Sequence, residues 1–167
     1  MSSKSRKATQ TQERRTGTKS LVEKLTGERA EMLTLFCRVA GLEPFKDDNP
    51  DKQSPALLQE FCQVLVDYIA AGHFSLYERI ENEAERRQAA AQLAENLYPR
   101  IAQTTEAALT FNDKYDTEEK RDIPSELEKD LSRLGEELAL RIELEDRLLK
   151  ALMSPRETET KPSVSAR

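Results

Sequence analysis

The chain has 167 residues, of which 34% are charged, with only 5 glycines and 7 prolines. This length supports one domain with its own core, and this helix-forming composition favours an all-α fold. No apolar run approaches the ~20 residues that a membrane span needs, and no apolar segment follows the basic N-terminus, so a cytoplasmic protein without a secretory signal is predicted.

The net charge of -5 is unevenly distributed along the chain. Residues 1–19 carry six basic side chains against Glu13, a charge of +5, so residues 20–167 total -10. An acidic body favours a basic protein partner and disfavours direct binding of nucleic acid. Because residues 1–19 contain no aromatic and no branched aliphatic residue, they are predicted to be a disordered basic tail.

The first helix is predicted from about Ser20 to Ala40. Gly27 lies in its middle, where we expect fraying or a kink, and Gly41 closes it. Residues 42–54 contain two prolines and three aspartates and are predicted to be a loop. The core-facing residues of this helix recur at helical spacing and are Leu21, Leu25, Met32, Leu35, Phe36 and Val39.

The second helix is predicted to begin at Ser54 and Pro55, a cap followed by a first-turn proline, and to end at a left-handed Gly72. Ser75 with Glu78 has the form of a capping box that opens a third helix, running to about Leu97. The buried stripe of the second helix is predicted to be Leu58, Phe61, Cys62, Leu65 and Ile69.

The Tyr98-Pro99 pair is predicted to kink or restart the helical structure, which continues to about Lys114 before a polar connection over residues 115–123. The last helix is predicted from Pro124 for nearly thirty residues. In it, Arg141 and Glu145 lie one turn apart and are either half-exposed or part of a buried network.

These elements predict an all-α fold, an antiparallel bundle of four main helices over residues 20–153. The segments on either side, residues 1–19 and 154–167, are predicted to be disordered tails.

Enzyme chemistry finds little support in the residue inventory. A di-iron bundle needs Glu-x-x-His pairs on two helices and a zinc site needs clustered cysteine and histidine, but His73 is the single histidine. Neither a glycine-rich phosphate loop nor a nucleophile elbow is present. The chain is therefore predicted to have no catalytic residue, cofactor or metal. Cys37 and Cys62 are predicted to be free thiols; a redox or nucleophilic role for Cys62 with His73 is the alternative.

The polar side of the second helix is a candidate binding face. Glu60, Gln63 and Asp67 lie on it, and it ends in small residues beside the large ring of Phe74. Such a face is either only solvated or receives a partner helix. His73 at the same corner either caps the carbonyl groups at the helix end or contacts the partner.

The run LVDYIAAGHFSLYERI, from Leu65 to Ile80, resembles the signature of the Rsd/AlgQ (regulator of sigma D) family of anti-sigma factors. Three further segments agree with the family in order: Lys19–Leu25, Ala40–Pro44 and Leu134–Leu152. The resemblance covers roughly Ser20 to Met153.

The resemblance implies a monomeric helical bundle that binds region 4 of the primary sigma factor of RNA polymerase, the helix-turn-helix that reads the promoter -35 element. Bound region 4 would reach neither the promoter nor the core enzyme, which would favour alternative sigma factors. Family members are also tied to the phosphocarrier protein of sugar transport and to the stringent-response hydrolase. The implied contact residues are Leu21, Asp67 and Phe74, with His73, Tyr77 and Glu78 as close neighbours.

The chain departs from the family pattern in the first helix, where an aromatic residue is usual at Leu25 and bulkier residues at Thr26 and Gly27. This departure would weaken the first-helix half of the site. The alternative function is a nucleic-acid-associated or stress-response regulator that acts through residues 1–19 or through the phosphocarrier or stringent-response partners.

Overall fold

The computed structural model describes residues 3–42, 54–83, 87–116 and 125–153, and every regular element within them is a helix, which confirms the all-α fold. The predicted C-terminal tail, most of the two predicted connections (residues 43–53 and 117–123) and Pro124, the predicted start of the last helix, lie outside the described residues. The helices are α1 (Ser3–Ala40), α2 (Pro55–Ala71), a π-helical turn (Gly72–Tyr77), α3 (Glu78–Asn82), α4 (Gln88–Tyr115) and α5 (Leu127–Met153).

The four long helices pack as a bundle around one apolar core. α1 lies against α2, α2 against α4, α4 against α5, and α5 contacts α1. Phe61 of α2 lies near the centre, with its ring centroid 5.9 Å from Phe36 and 5.8 Å from Phe111. None of the described helices is both long enough and apolar enough to cross a membrane.

The N-terminal part of α1 differs from the sequence prediction. A disordered tail is predicted over residues 1–19, but the structure describes residues 3–19 as helix, continuous with the predicted Ser20–Ala40 segment. Where their exposure is described, residues 5–9, 12, 13 and 19 are exposed. They extend a helix that Leu21 and Leu25 already anchor in the core, so no separate nucleation is needed. α1 also continues through Gly27 and ends as predicted at Gly41, whose φ of 70° is left-handed.

The start of α2 confirms the predicted cap. Ser54 is extended, its hydroxyl oxygen accepts a hydrogen bond from the Leu57 N–H at 3.1 Å, and Pro55 occupies the first turn.

The predicted helix break at Gly72 is wrong. Gly72 has φ -60° and ψ -48°, which is right-handed helical, and the chain passes through the π-helical turn directly into α3. No side chain caps the start of the π-helical turn or of α3, so the predicted capping box of Ser75 and Glu78 does not form. The predicted third helix is instead divided into α3, which ends at Asn82, and α4, which contains Pro99 in its interior.

Candidate partner-binding surface

The polar side of α2 is exposed, as its periodicity predicts. Glu60, Gln63 and Asp67 all lie on the surface, and the Gln63 side-chain amide donates to Asp67 Oδ1 at 3.3 Å. A carboxylate has about four acceptor positions, so this single contact leaves Asp67 able to accept from a partner. The face is therefore an accessible acidic surface.

Phe74 is the outstanding feature at the end of this face, because 64% of its surface is exposed. Its ring meets the exposed His73 ring edge-on, with the centroids 4.8 Å apart and the planes at 82°. An aromatic ring this open to solvent in a chain with a well-filled core is typical of an interaction site.

A shallow groove of about 440 Å³, here called the corner groove, separates Phe74 from the N-terminal half of α1. Leu21 and Lys24 line it from α1, and Phe74 and Glu78 line it from the π-helical turn and α3. Leu21 is only 9% exposed, so it forms the floor of the groove. The structure thus brings together Leu21, Phe74 and Glu78, which come from separate elements.

Tyr77 points into the bundle. It is 9% exposed, its hydroxyl donates to Glu145 Oε2 at 3.4 Å, and its ring meets Tyr98 edge-on with the centroids 5.5 Å apart. Tyr77 is one of the six residues expected to contact a partner, but its side chain is buried and packs beneath the π-helical turn.

Beneath the corner lies a buried polar network centred on Arg141 and Glu145, both with 0% exposure. Arg141 Nε is 3.3 Å from Glu145 Oε2, and Arg141 Nη1 donates to the hydroxyls of Thr104 and Thr105 at 3.1 and 2.7 Å. The Tyr68 hydroxyl donates to Glu145 Oε1. Of the two alternatives left open for this pair, the structure supports the buried network.

The two tyrosines in this network act as neutral donors. Burial, together with the nearby Glu145 carboxylate, raises the pKa of Tyr68 and of Tyr77 well above the ordinary phenol value. Their hydroxyl protons are therefore retained at neutral pH and stabilise the buried Glu145 charge. Arg29 of α1 adds a second cation, with Nη2 3.6 Å from Glu145 Oε1 and Nη1 2.8 Å from Asp146 Oδ1.

Gly72 lies directly over this network. A Cβ at this position would stand 3.0 Å from Glu145 Oε2 and 3.2 Å from Arg141 Nη2. A side chain at position 72 would therefore crowd the ends of the Glu145 and Arg141 side chains, although the φ of Gly72 is one that any residue can adopt. The π-helical turn that presents Phe74 starts at this contact.

Several residues of this buried region could not be predicted from the sequence. Tyr68, Tyr98 and Thr104 carry no local signal, since each reads as an ordinary member of an amphipathic helix. The one usable signal is the charged pair Arg141 and Glu145 on an otherwise apolar stripe, which implies polar partners on the facing helices.

The three α1 residues expected to depart from the family pattern differ in exposure. Leu25 is fully buried and belongs to the core, while Thr26 and Gly27 are exposed. Leu25 therefore belongs to the core and is not among the residues that line the corner groove.

The described residues contain no group of three or more histidine, cysteine, aspartate or glutamate side chains placed to hold a metal ion. Cys37 and Cys62 are both free thiols, as predicted. Burial raises the pKa of the Cys62 thiol to about 12, with a smaller effect of the Asp116 charge. A thiol with this pKa is a poor nucleophile at neutral pH, which argues against the alternative of a Cys62-based site.

The fold and this surface are those of an all-α bundle with an exposed acidic and aromatic corner. The family model described as "Regulator of RNA polymerase sigma(70) subunit, Rsd/AlgQ" matches residues 5–153, and the chain belongs to this family of sigma-factor regulators.

Curated relatives agree with the family match. A protein named "Regulator of sigma D" from Yersinia enterocolitica is 33% identical over 136 residues, which cover 80% of this chain and 81% of the relative. A protein of the same name from Shigella boydii is 35% identical over 138 residues, covering 82% and 86%. No solved structure matches the chain.

Proposed function

We propose that this protein is an anti-sigma factor that binds region 4 of the primary sigma factor and blocks its contacts with the promoter -35 element and the core polymerase. Alternative sigma factors would then gain access to the core enzyme. The observation that carries this proposal is the exposed Phe74 ring, standing at the end of the acidic α2 face in a chain of the sigma-regulator family.

The charges support a partner that normally binds DNA. Residues 20–167 total -10, and a promoter-reading module is basic because it contacts phosphates. The exposed Asp67 carboxylate can accept a charge-assisted, bidentate hydrogen bond from an arginine of that module. This contact would compete with the phosphate contact of the same arginine.

The apolar part of the proposed contact is the corner groove. Phe74 would be the anchor that becomes desolvated on binding, with the Leu21 floor receiving an apolar side chain of region 4. Glu78 and His73 are exposed at the rim, where they would affect the association rate more than the affinity. Tyr77 would act indirectly, by holding the π-helical turn on Glu145.

The proposal is tested by titrating purified sigma region 4 with single variants. Asp67→Ala and Phe74→Ala should each weaken binding while leaving the helical circular dichroism unchanged. Matched controls on α4 are Asp113→Ala and Leu109→Ala, an exposed carboxylate and an exposed apolar side chain outside the corner. Equal affinity for all four variants would refute the proposed site. A monomeric protein would form a 1:1 complex, which light scattering measures.

A second candidate function rests on the N-terminal part of α1, where Arg6, Lys7 and Lys19 are exposed on a continuous helix. A basic helix of this kind could contact nucleic acid phosphates. Deletion of residues 1–16 discriminates between the two functions. Unchanged sigma binding and transcription inhibition would support the corner, whereas loss of regulation with intact sigma binding would support the basic helix. The phosphocarrier and stringent-response partners belong with this second candidate.

A further inference from the structure

A second groove lies between α1 and α5, away from the corner. It has a volume of about 310 Å³ and an almost entirely apolar lining. Leu21 and Leu33 are twelve positions apart on α1, or ~18 Å along the helix axis, so the two grooves occupy different parts of the surface. The residues that line the α1–α5 groove are Leu33, Phe36, Gly135, Leu138, Ala139 and Ile142.

The floor of the α1–α5 groove is formed by a close contact between the two helices. A Cβ at Gly135 would lie 2.9 Å from Phe36 Cζ, so the Phe36 ring fits only because residue 135 has no side chain. Leu33 is 37% exposed and Ala139 is also exposed, which leaves apolar walls open to solvent. Contiguous apolar surface of this kind marks interaction sites on soluble proteins.

The rims of the groove differ in charge. Glu136 and Glu143 each follow a groove-lining residue by one position, which turns them ~100° towards solvent, and both are exposed. The α1 rim carries Ala30 and Cys37, which are uncharged and share a face with Leu33. The exposed rim of α5 is therefore acidic at these two positions, while the cation on the α1 side, Arg29, one turn before Leu33, is already paired with Asp146 Oδ1 at 2.8 Å.

We propose that the α1–α5 groove docks an amphipathic helix of a second protein partner. The apolar stripe of that helix lies on Phe36 and Gly135, and a row of lysine or arginine residues on one flank faces Glu136 and Glu143. On α5 the lining runs from Gly135 to Ile142, ~10 Å along the helix axis, which matches about two helical turns. One turn beyond Ile142 on α5, Asp146 Oδ1 accepts a hydrogen bond from Arg29 of α1 at 2.8 Å.

The acidic side chains on the rim favour one kind of molecule in the α1–α5 groove over the others. A second copy of this chain, docked through the same face, offers no row of basic side chains to pair with Glu136 and Glu143, and an anionic lipid surface would be repelled by them. A helix with a basic flank satisfies both the apolar floor and the acidic wall. This partner is separate from sigma region 4, so the inference does not depend on the proposed function of the corner.

Cys37 provides a reporter for occupancy of the groove. It lies one turn beyond Leu33 on the same face and is partly exposed, whereas Cys62 is fully buried with a pKa raised to about 12. Maleimide alkylation of the folded full-length chain should therefore report on Cys37 alone. A helix seated in the groove would cover this thiol and slow the reaction.

The probe is a synthetic amphipathic helix of about four turns with leucines on one stripe and lysines on its flank. At saturation it should slow Cys37 alkylation at least about fivefold, a change equal to four-fifths occupancy of a fully protecting site. Ala139→Arg, which adds bulk and positive charge to the groove, should abolish this protection. Ala102→Arg, an exposed alanine of α4, is the matched control and should leave it intact.

Three results would overturn the inference. The first is no protection by the lysine peptide, and the second is equal protection by a peptide with glutamate in place of every lysine. The third is Cys37 protection that rises with protein concentration alone, together with a doubled mass in sedimentation, because the occupant would then be a second copy. Phe74→Ala should leave protection by the lysine peptide unchanged, which keeps this test separate from the test of the corner.

Discussion

Replacing Gly72 by alanine tests the contact between the π-helical turn and the buried network. Two effects of opposite sign compete. Alanine is favoured over glycine in a right-handed helix by about 1 kcal/mol, and Gly72 has helical dihedral angles. Against this, the new methyl group would lie 3.0 Å from Glu145 Oε2 and 3.2 Å from Arg141 Nη2. Overpacking of this kind typically costs ~1–3 kcal/mol.

The buried network decides which effect is larger at Gly72. Glu145 cannot move aside without losing its contacts with Tyr68, Tyr77 and Arg141, all of which are buried. We therefore expect Gly72→Ala to reduce the free energy of unfolding by about 1–2 kcal/mol. The corner would shift with it, so affinity for sigma region 4 should also fall.

Gly27→Ala is the matched control, because Gly27 is exposed, lies inside α1 and has nothing within 4 Å of the position that a Cβ would occupy. Without a steric penalty this change should stabilise the fold by about 0.5–1 kcal/mol. The two variants should therefore differ by about 1.5–3 kcal/mol, or ~3–12 °C in thermal midpoint for a chain of this length, measured by circular dichroism. Stabilisation by Gly72→Ala equal to that by Gly27→Ala would refute the close approach of the Glu145 and Arg141 side chains to residue 72.

Three further outcomes follow from buried or paired groups. Glu145→Gln leaves the buried guanidinium of the network without its carboxylate and should lower the free energy of unfolding by ~3–5 kcal/mol in urea titrations. The hydrogen bond from the Lys114 ammonium group holds the pKa of the Asp130 carboxyl below its ordinary value, so this contact stabilises the fold above about pH 4 and is lost as the pH falls through the folded-state pKa. Asp130→Asn should therefore lose less stability than the wild type between about pH 7 and about pH 3. Maleimide at neutral pH should label Cys37 in the folded protein and Cys62 only after unfolding.

Neighbouring side chains supply the controls. Glu143→Gln, an exposed change two positions before Glu145, should alter stability by less than about 0.5 kcal/mol. Asp113→Asn should retain the wild-type acid sensitivity. An equal loss for Glu143→Gln and Glu145→Gln, unchanged acid sensitivity of Asp130→Asn, or rapid labelling of Cys62 in the folded state would each contradict the corresponding prediction.

Helical periodicity was sufficient to predict most of the fold and the exposure of the candidate surface. The stripe of Phe61 and Leu65 faces the core and Asp67 faces solvent, because the 3.6-residue repeat fixes both at once. Phe74 is exposed beyond the end of the same face. The cap at Ser54 also follows from local chemistry alone.

The corner could not be derived in this way, because its cause is a tertiary contact. A glycine near a predicted helix end is most often a left-handed terminator, and Gly72 fits that local pattern. Its actual neighbour, Glu145, lies on α5 and is distant in sequence, so nothing near Gly72 reveals the close approach. Tyr77 faces inward for the same reason, since its hydroxyl donates to that carboxylate.

The N-terminal part of α1 shows why composition alone did not predict a helix there. Residues 1–19 lack the apolar surface to order themselves, which is a statement about an isolated segment. Residues 3–19 are the first turns of a helix held by Leu21 and Leu25, so they need only continue existing hydrogen bonding.

The central claim is that the acidic α2 face and Phe74 mask a promoter-reading module, and competition with DNA tests it most directly. Sigma region 4 bound to a fluorescent duplex carrying the -35 element is titrated with this protein while anisotropy is followed. We predict release of the duplex in proportion to protein added, and none with the Asp67→Ala, Phe74→Ala double variant. A stable complex of protein, region 4 and DNA together, or full release by the double variant, would contradict the claim.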